Sequence, residues 1–266
     1  MRERSPCRWA VGLLPLLVSL VHAGAPTPVP TSFQFRDESV LKTLWAKEFA
    51  SAYQVLDGGR FRVILVKRIP GKEMPAYLAK AHRVSVRIGA GVLAGVNTKK
   101  SFRDGQITSG RPGDVKPRTF LASKTSAYNL VVQTPPLNDE FLSDEAYAKV
   151  KPKSDEAAAR PRDEPDLHEM LAHAGEGPAP WVDSVFSGGP LGTSALVVFQ
   201  PHKRAGPFTQ ETLWFVLEGK ARVRAGGKSF VIEPRTGVRI PKGFMGDLDL
   251  SPIGGRCALL QVVVST

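Results

Sequence analysis

Two groups of polar side chains in the C-terminal part of the sequence could contact a small ligand. Thr209 and Glu211 come directly before an apolar run and offer a hydroxyl and a carboxylate to a polar molecule. Arg222 and Arg224 alternate with apolar residues, so on a β-strand both guanidinium groups would share one face and could bind an anion. The alternatives are an ordinary polar loop for the first pair and a solvated strand face for the second.

Histidine titrates near neutral pH and is therefore well suited to act as a general base or as a metal ligand. His82 opens a strand-like run, and His202 lies in a loop beside two basic residues. The simpler alternatives are a hydrogen bond to a backbone carbonyl for His82 and an exposed polar contact for His202. His168 and His173 would lie on different faces of one helix, which argues against a shared metal site. The sequence contains no G-x-S-x-G nucleophile motif, phosphate loop or dinucleotide fingerprint.

The segment that carries most of these residues is typical of a series of short β-strands. Within residues 212–243, short apolar runs are separated by the turn sequences E-G-K, A-G-G and P-R-T-G. Similar runs with Gly and Pro punctuation extend over residues 61–134, so we expect an all-β fold of antiparallel barrels or sandwiches. Trp214 and Phe215 should face opposite sides of their strand, one inside a barrel and the other against a partner domain.

Two segments outside the strand-like runs predict helices. Between residues 37 and 56, apolar side chains recur at helical spacing and predict an N-terminal helix that docks on the first β-domain. The residues of this stripe are Val40, Leu41, Leu44, Trp45, Phe49, Ala52 and Tyr53. Residues 135–180 are polar and rich in proline, and we expect a connector with one or two short helices. An apolar stripe marks one of these helices at Leu167, Met170, Leu171 and Ala174.

Residues 1–23 have the pattern of a secretory signal peptide, with a basic start, an apolar run and Val-His-Ala at the end. The apolar run is shorter than the about 20 residues that span a bilayer, although an uncleaved anchor is the alternative. We therefore expect a secreted or periplasmic protein that has no contact with the membrane interior once the signal is removed. Removal would also take away Cys7, so that no internal disulfide could form. Cys257 should then be a small, buried apolar side chain.

The net charge of +11 at pH 7 favours anionic partners over cationic ones. A small polar or anionic molecule, such as a carbohydrate-like ligand, fits this charge. The alternative is a basic surface without a dedicated partner. Nucleic acid is not expected as a partner, because the sequence shows neither a recognition helix nor interleaved base-stacking aromatic residues.

Residues 194–266 resemble the conserved body of the cupin fold. The matching motifs are Val216-Leu217-Glu218-Gly219 at a strand end, Pro234-Arg235-Thr236 at a turn and Pro241-Lys242-Gly243 at the next turn. An earlier block has Arg87-Ile88-Gly89 and Pro112-Gly113-Asp114 in corresponding places. The resemblance implies two cupin-like β-barrel (jelly-roll) domains, the arrangement known as a bicupin.

The domain organisation follows from this resemblance and from the composition of the flanking segments. Its parts are a signal peptide at 1–23, a Pro-rich spacer at 24–36, an N-terminal helix with a degenerate cupin-like domain at 37–134, a polar linker at 135–180 and a C-terminal cupin domain at 181–266.

The resemblance also implies where a metal would bind, because cupins hold it with His and Glu side chains at fixed distances from these motifs. In the C-terminal block Thr212 and Gly246 stand at two of the ligand positions, and neither can bind a transition metal well. The donors nearest to the pattern are His202, Glu211 and Asp247, with Glu211 one residue out of register. We therefore expect no metal cofactor, and only these three residues as ligands if one is present.

Three functions agree with the sequence. The first is an exported, metal-free cupin protein that binds a small polar or anionic ligand in the C-terminal barrel. The second is an isomerase, epimerase or dioxygenase that uses His82, or His202 with Glu211, as a general base or non-standard ligand. The third is a structural or interaction protein, such as a homodimer, and a barrel interior filled with side chains would favour it.

Overall fold

The computed structural model describes residues 28–95, 99–136, 139–150, 167–186 and 189–265. The expected signal peptide, the first part of the Pro-rich spacer and the middle of the polar linker lie outside these ranges. Within them the chain is mostly β, in five antiparallel sheets, which confirms the expected fold class. In the part of the chain that is described, no helix has the length and hydropathy needed to cross a bilayer.

The C-terminal domain consists of a six-stranded sheet and a four-stranded sheet. The spatial order of the larger sheet is β1 (Thr31–Gln34), β21 (Thr236–Ile240), β18 (Glu211–Glu218), β23 (Cys257–Val264), β16 (Leu191–Val198) and β15 (Trp181–Phe186). The order of the smaller sheet is β17 (His202–Arg204), β22 (Leu248–Pro252), β19 (Ala221–Ala225) and β20 (Lys228–Ile232). Strand β1 comes from the N-terminal segment, so the first described residues complete the second domain.

The N-terminal domain consists of one large sheet and two small ones. The six-stranded sheet has the order β10 (Ile107–Gly110), β7 (Arg83–Ile88), β13 (Ala127–Gln133), β4 (Arg62–Arg68), β3 (Ala50–Asp57) and β2 (Lys42–Ala46). A four-stranded sheet has the order β5 (Glu73–Met74), β12 (Thr119–Leu121), β8 (Gly91–Ala94) and β9 (Lys99–Phe102). A three-stranded sheet has the order β11 (Val115–Lys116), β6 (Tyr77–Leu78) and β14 (Glu140–Phe141).

The expected N-terminal helix is wrong, because its residues form a short 3-10 turn at Glu38–Val40 followed by strands β2 and β3. The helical spacing of the apolar residues has a different cause. A β-bulge between Thr43 and Trp45 allows both Leu44 and Trp45 to pack on the same cluster inside the barrel. A helix also places neighbouring apolar residues on one side. The spacing of the apolar residues alone therefore does not distinguish a helix from a bulged strand.

The two six-stranded sheets pack face to face and form a core between the domains. The N-terminal domain contributes Phe61, Val63, Leu65, Val84, Val86, Ile107, Leu130 and Val132, and the C-terminal domain contributes Leu191, Ala195, Leu213, Phe215, Leu260, Val262 and Val264. Phe215 belongs to this core while Trp214 packs inside the C-terminal barrel, which confirms the opposite orientations expected for these two residues.

The connector contains helical structure, as expected. Residues 144–150 are helical, and a second short helix spans Leu167–Ala172. In this second helix Leu171 is buried against Val197 and Ala258, and Ala174 just after the helix packs on the same cluster. These two residues of the predicted apolar stripe therefore face the C-terminal domain. This helix therefore docks on the outside of the second barrel.

Candidate functional site

The interior of the C-terminal barrel is closed by packed apolar side chains. The buried cluster consists of Leu196, Val198, Phe208, Trp214, Val216, Ala221, Val223, Ala225, Ile232, Val238, Ile240, Phe244, Leu248, Leu250, Cys257 and Leu259. Polar atoms next to it satisfy one another, because Trp214 Nε1 donates to Gln261 Oε1 at 3.0 Å and Gln261 Nε2 donates to Ser194 Oγ at 3.2 Å. The described interior of this barrel is therefore a hydrophobic core.

Cys257 shows how strongly this core excludes water. Its side chain is fully buried, and burial raises the pKa of its thiol to about 12. Cys257 is therefore a small apolar core residue, as expected, and its thiol is protonated at physiological pH.

The residues expected to bind a ligand at this barrel lie outside its interior. Thr209 is exposed, and the carboxylate of Glu211 pairs with Arg239. Arg222 and Arg224 do share one face of β19, as predicted, but that face is exposed while the residues between them are buried. In this arrangement the two arginines are part of the outer surface and do not reach the barrel interior.

The residues considered as metal ligands do not form a common site. His202 is half-buried on β17, Asp247 is exposed, and Glu211 is engaged by Arg239. Across residues 28–95, 99–136, 139–150, 167–186 and 189–265, no three His, Cys, Asp or Glu side chains are close enough to hold a metal ion together. The described donors therefore do not fit the metal centre that the cupin fold would imply.

His82 lies at the boundary between the two domains. Its ring is next to Gly189, where an added Cβ would come within 3.3 Å of His82 Nδ1. Its backbone carbonyl accepts a hydrogen bond from the amide of Thr134 at 3.0 Å. The ring thus contacts the C-terminal domain, on the same side of the sheet as Val84 and Val86 in the core between the domains.

The inner face of the N-terminal barrel differs from that of its partner because it has several polar and charged side chains beside its apolar clusters. Strand alternation determines this face: residues such as Val84 and Val86 pack between the domains, so the residues between them point into the barrel. The polar residues on this inner face are Arg68, Arg83, Ser85, Arg87, Asn129 and Gln133. We refer to Arg68, Arg83 and Arg87 as the arginine cluster.

Arg68 is the most buried member of the arginine cluster, with 6% of its surface exposed. Its Nη1 donates to Thr119 Oγ1 at 3.1 Å and its Nη2 donates to Thr119 O at 2.9 Å, whereas its Nε is buried without an acceptor. No described carboxylate forms an ion pair with it. Burial, followed by the charge of Arg87, lowers the Arg68 pKa to about 10, so the group is still cationic at neutral pH.

The other two arginines converge on Tyr77 and Asn129. Arg87 Nη1 donates to Asn129 Oδ1 at 2.6 Å, and Arg83 lies over the Tyr77 ring, 5.8 Å from its centroid. Burial raises the pKa of the Tyr77 phenol, which is therefore neutral at physiological pH. Arg83 is paired with the carboxylate of Asp139. The barrel thus holds three guanidinium groups, one of which is ion-paired with Asp139.

A cleft lies at the boundary of the domains. It is lined by Phe35, Arg36, Glu38, Leu65, Ile88, Tyr128 and Arg235. Two of its charged groups already have partners inside the protein, because Arg36 pairs with Glu233 and Glu38 pairs with Lys67. The arginine cluster is therefore the better candidate for a ligand site, since no charged group in the described part of the chain pairs with Arg68.

Comparison with known proteins shows the same fold. No family model matches the sequence, and no curated protein matches it. Among solved structures, a cupin 2 conserved barrel domain protein from Leptotrichia buccalis aligns with a TM-score of 0.54 and 10% identity, over 83% of this chain and 91% of the other. The architecture is thus that of the cupin proteins.

The similarity extends to proteins with two barrels. A deletion mutant of Bacillus subtilis oxalate decarboxylase aligns with a TM-score of 0.58 and 14% identity, over 91% of this chain and 78% of the other. A formate complex of Lactobacillus farciminis oxalate decarboxylase aligns with a TM-score of 0.57 and 14% identity, over 91% and 87% of the two chains. The chain therefore has a bicupin-like fold, as the sequence motifs suggested, and at these identities the similarity concerns the fold alone.

Proposed function

We propose that this chain is an exported, metal-free bicupin that binds a small anion inside its N-terminal barrel. The observation that carries the proposal is the buried guanidinium of Arg68, for which the described residues supply only the neutral oxygens of Thr119 as acceptors. Its signal-like leader supports export, and the absence of a fitting set of donors among the described residues supports a function without a metal.

The energetics of burial support an anionic ligand. An ion removed from water costs several kcal/mol unless a charge or several hydrogen bonds compensate it. Arg87 lies close enough to Arg68 to lower its pKa, so the two like charges also repel each other. An anion that accepts from these groups would remove both penalties, because charge-assisted hydrogen bonds to arginine are among the strongest in proteins.

This proposal moves the ligand from the C-terminal barrel, where the sequence motifs suggested it, to the N-terminal one. The packed interior of the C-terminal barrel favours a structural role for that domain, which presents Leu213 and Phe215 to the core between the domains. The two roles are compatible, since a rigid scaffold on one side helps to keep the arginine cluster in a fixed geometry.

Isothermal titration calorimetry of the protein without its leader tests the proposal. The probes are acetate, succinate, phosphate and sulfate, and the variants are Arg68→Met and Arg222→Met. Arg222 is the matched control because it is exposed on the outer face of β19. We expect at least one anion to bind, the affinity to fall by about 100-fold or more in R68M, and R222M to bind like the unmodified protein.

Equal affinities of R68M and the unmodified protein would show that the anion does not bind at the arginine cluster. Circular dichroism of R68M establishes that the variant is folded, and Arg68→Lys keeps the charge without the planar donor pair and should bind with intermediate affinity. Elemental analysis of the same preparation tests the other part of the proposal. Stoichiometric iron, zinc or manganese would reject a metal-free function and favour an enzyme.

A further inference from the structure

A short segment of the connector crosses the N-terminal barrel beside the arginine cluster. We call residues 139–147 the strap. Its strand β14 pairs with β6, so that Phe141 lies opposite Tyr77 in the register, and the amide of Leu142 donates to Ala76 O at 2.8 Å. The strap is therefore joined to the barrel next to the ring on which Arg83 is stacked.

Charged and aromatic side chains hold the outer side of the strap. Lys80 Nζ lies 2.6 Å from Glu140 Oε2, and Arg118 pairs with Asp144. The Phe141 ring makes an edge contact with Tyr77, at 6.2 Å between centroids. The same ring also contacts Trp45 and Phe49. Since β14 is only two residues long, the strap is held mainly by these side-chain contacts.

Asp139, the first residue of the strap, occupies the arginine cluster. Its carboxylate accepts from both Nη atoms of Arg83, with Nη1 to Oδ2 at 2.9 Å. The side chains of Arg83 and Asp139 are 10% and 23% exposed, so this ion pair is largely shielded from water. An aspartate side chain has the same reacting group as acetate, and the paired donors of arginine match a planar carboxylate. The cluster thus already binds one carboxylate, in a bidentate geometry.

We infer that the ligand is a small carboxylate and that the Asp139 side chain competes with it for Arg83. This inference rests on the proposed function. A ligand that reaches Arg68 and Arg87 would also meet Arg83, whose two Nη donors are held by Asp139. Displacement of Asp139 would release the strap at its first residue and open the barrel at Tyr77. A tethered group has an effective concentration in the millimolar range or above, so its removal should strengthen binding of a free competitor.

The test compares Asp139→Asn with Glu140→Gln by calorimetry, with acetate, succinate and sulfate as probes. Both substitutions remove one negative charge from neighbouring residues of the strap, but Glu140 pairs with Lys80 and not with the arginine cluster. We expect D139N to bind acetate or succinate at least about tenfold more tightly than the unmodified protein. E140Q should differ from the unmodified protein by less than about twofold. Sulfate should bind to D139N more weakly than the carboxylates, since the Nη donors of Arg83 are already positioned for a planar carboxylate.

The failures of the two proposals can be told apart. If binding depends on Arg68 but D139N leaves the carboxylate affinity unchanged or weakens it, the competitor role of Asp139 is wrong and the anion site remains. Tighter binding of sulfate than of carboxylates to D139N would overturn the ligand class. If no anion binds to either protein, the proposed function itself fails.

A second variant keeps the inference testable if D139N does not fold. Phe141→Ala leaves every charge in place and removes the ring that contacts Tyr77. A loosened strap should let free carboxylate compete more easily, so we expect acetate or succinate to bind several-fold more tightly to F141A. Unchanged affinity in F141A would show that the strap does not control access to the site.

Discussion

The large sheets of the two barrels have the same role, but the interiors of the barrels differ in composition. Each contributes one face of a six-stranded sheet to the shared core, with Leu65 and Val84 on one side and Leu213 and Phe215 on the other. Inside, the C-terminal barrel is filled with apolar side chains, whereas the N-terminal barrel contains the three guanidinium groups of the arginine cluster, of which Arg68 is buried. A barrel of this kind can therefore be stabilised by packing alone, while its neighbour also contains a buried charge.

This difference shows which barrel can respond to a ligand. In the C-terminal barrel the polar atoms of Trp214, Gln261 and Ser194 are paired with one another, so an entering molecule would have to break existing contacts. In the N-terminal barrel no carboxylate of the described residues pairs with Arg68, so an entering anion would supply the opposite charge. The N-terminal barrel is therefore the one whose interior a bound ligand can stabilise.

The largest expected effect is on the packed interior of the C-terminal barrel. Leu259→Ala removes a fully buried side chain and leaves a cavity, so the free energy of unfolding should fall by about 2–5 kcal/mol. Urea denaturation followed by circular dichroism measures it. Val231→Ala, at an exposed position of β20, is the control and should change the stability by less than about 0.5 kcal/mol. A small loss for L259A would mean that this interior is loosely packed or open.

The reactivity of Cys257 tests the same interior without a mutation. Its pKa of about 12 lies above the ordinary thiol value of 9.0, so folding favours the protonated thiol and the thiolate is scarce at pH 8. We expect a thiol reagent to label the native protein at least about 100-fold more slowly than the urea-unfolded protein. Native labelling should accelerate as the pH rises towards 12. Rapid labelling at pH 8 would contradict a closed barrel.

A smaller change in the free energy of unfolding, of opposite sign, is expected from a substitution in the N-terminal barrel. Arg68→Met replaces a buried, uncompensated charge by an apolar chain of similar length, so in anion-free buffer the free energy of unfolding should stay constant or rise by about 1 kcal/mol. The measurement is the same urea titration. A loss of more than about 2 kcal/mol would mean that the hydrogen bonds from Arg68 to Thr119 are structural and that no ligand is needed to explain this arginine.

The fold could be predicted from the sequence to a large extent. Gly and Pro turns between short apolar runs indicated the two β-domains, and the opposite orientations of Trp214 and Phe215 followed from the period of a strand. The segment after Asp37 was mistaken for a helix because a β-bulge places Leu44 and Trp45 against the same cluster. A bulge depends on pairing with a distant strand, which local periodicity does not report.

The arginine cluster could not be recognised from the sequence for a related reason. In β7 the alternation of Arg83, Val84, Arg87 and their neighbours is that of any sheet with one buried and one polar face. Such a pattern is normally interpreted as polar residues facing solvent. Only the packing of the valine face on the second domain shows that the arginine face closes around the inside of a barrel. The alternating pattern is present in the sequence, but the tertiary structure decides whether its polar face meets solvent or the inside of a barrel.

The most direct test of the difference between the barrels is a crystal structure of the protein with a brominated carboxylate, such as 3-bromopropionate, located by the anomalous scattering of bromine. We predict a peak inside the N-terminal barrel with the carboxylate at Arg68, and no peak inside the C-terminal barrel. A peak within the apolar C-terminal interior, or peaks confined to outer faces such as that of Arg222 and Arg224, would contradict the account.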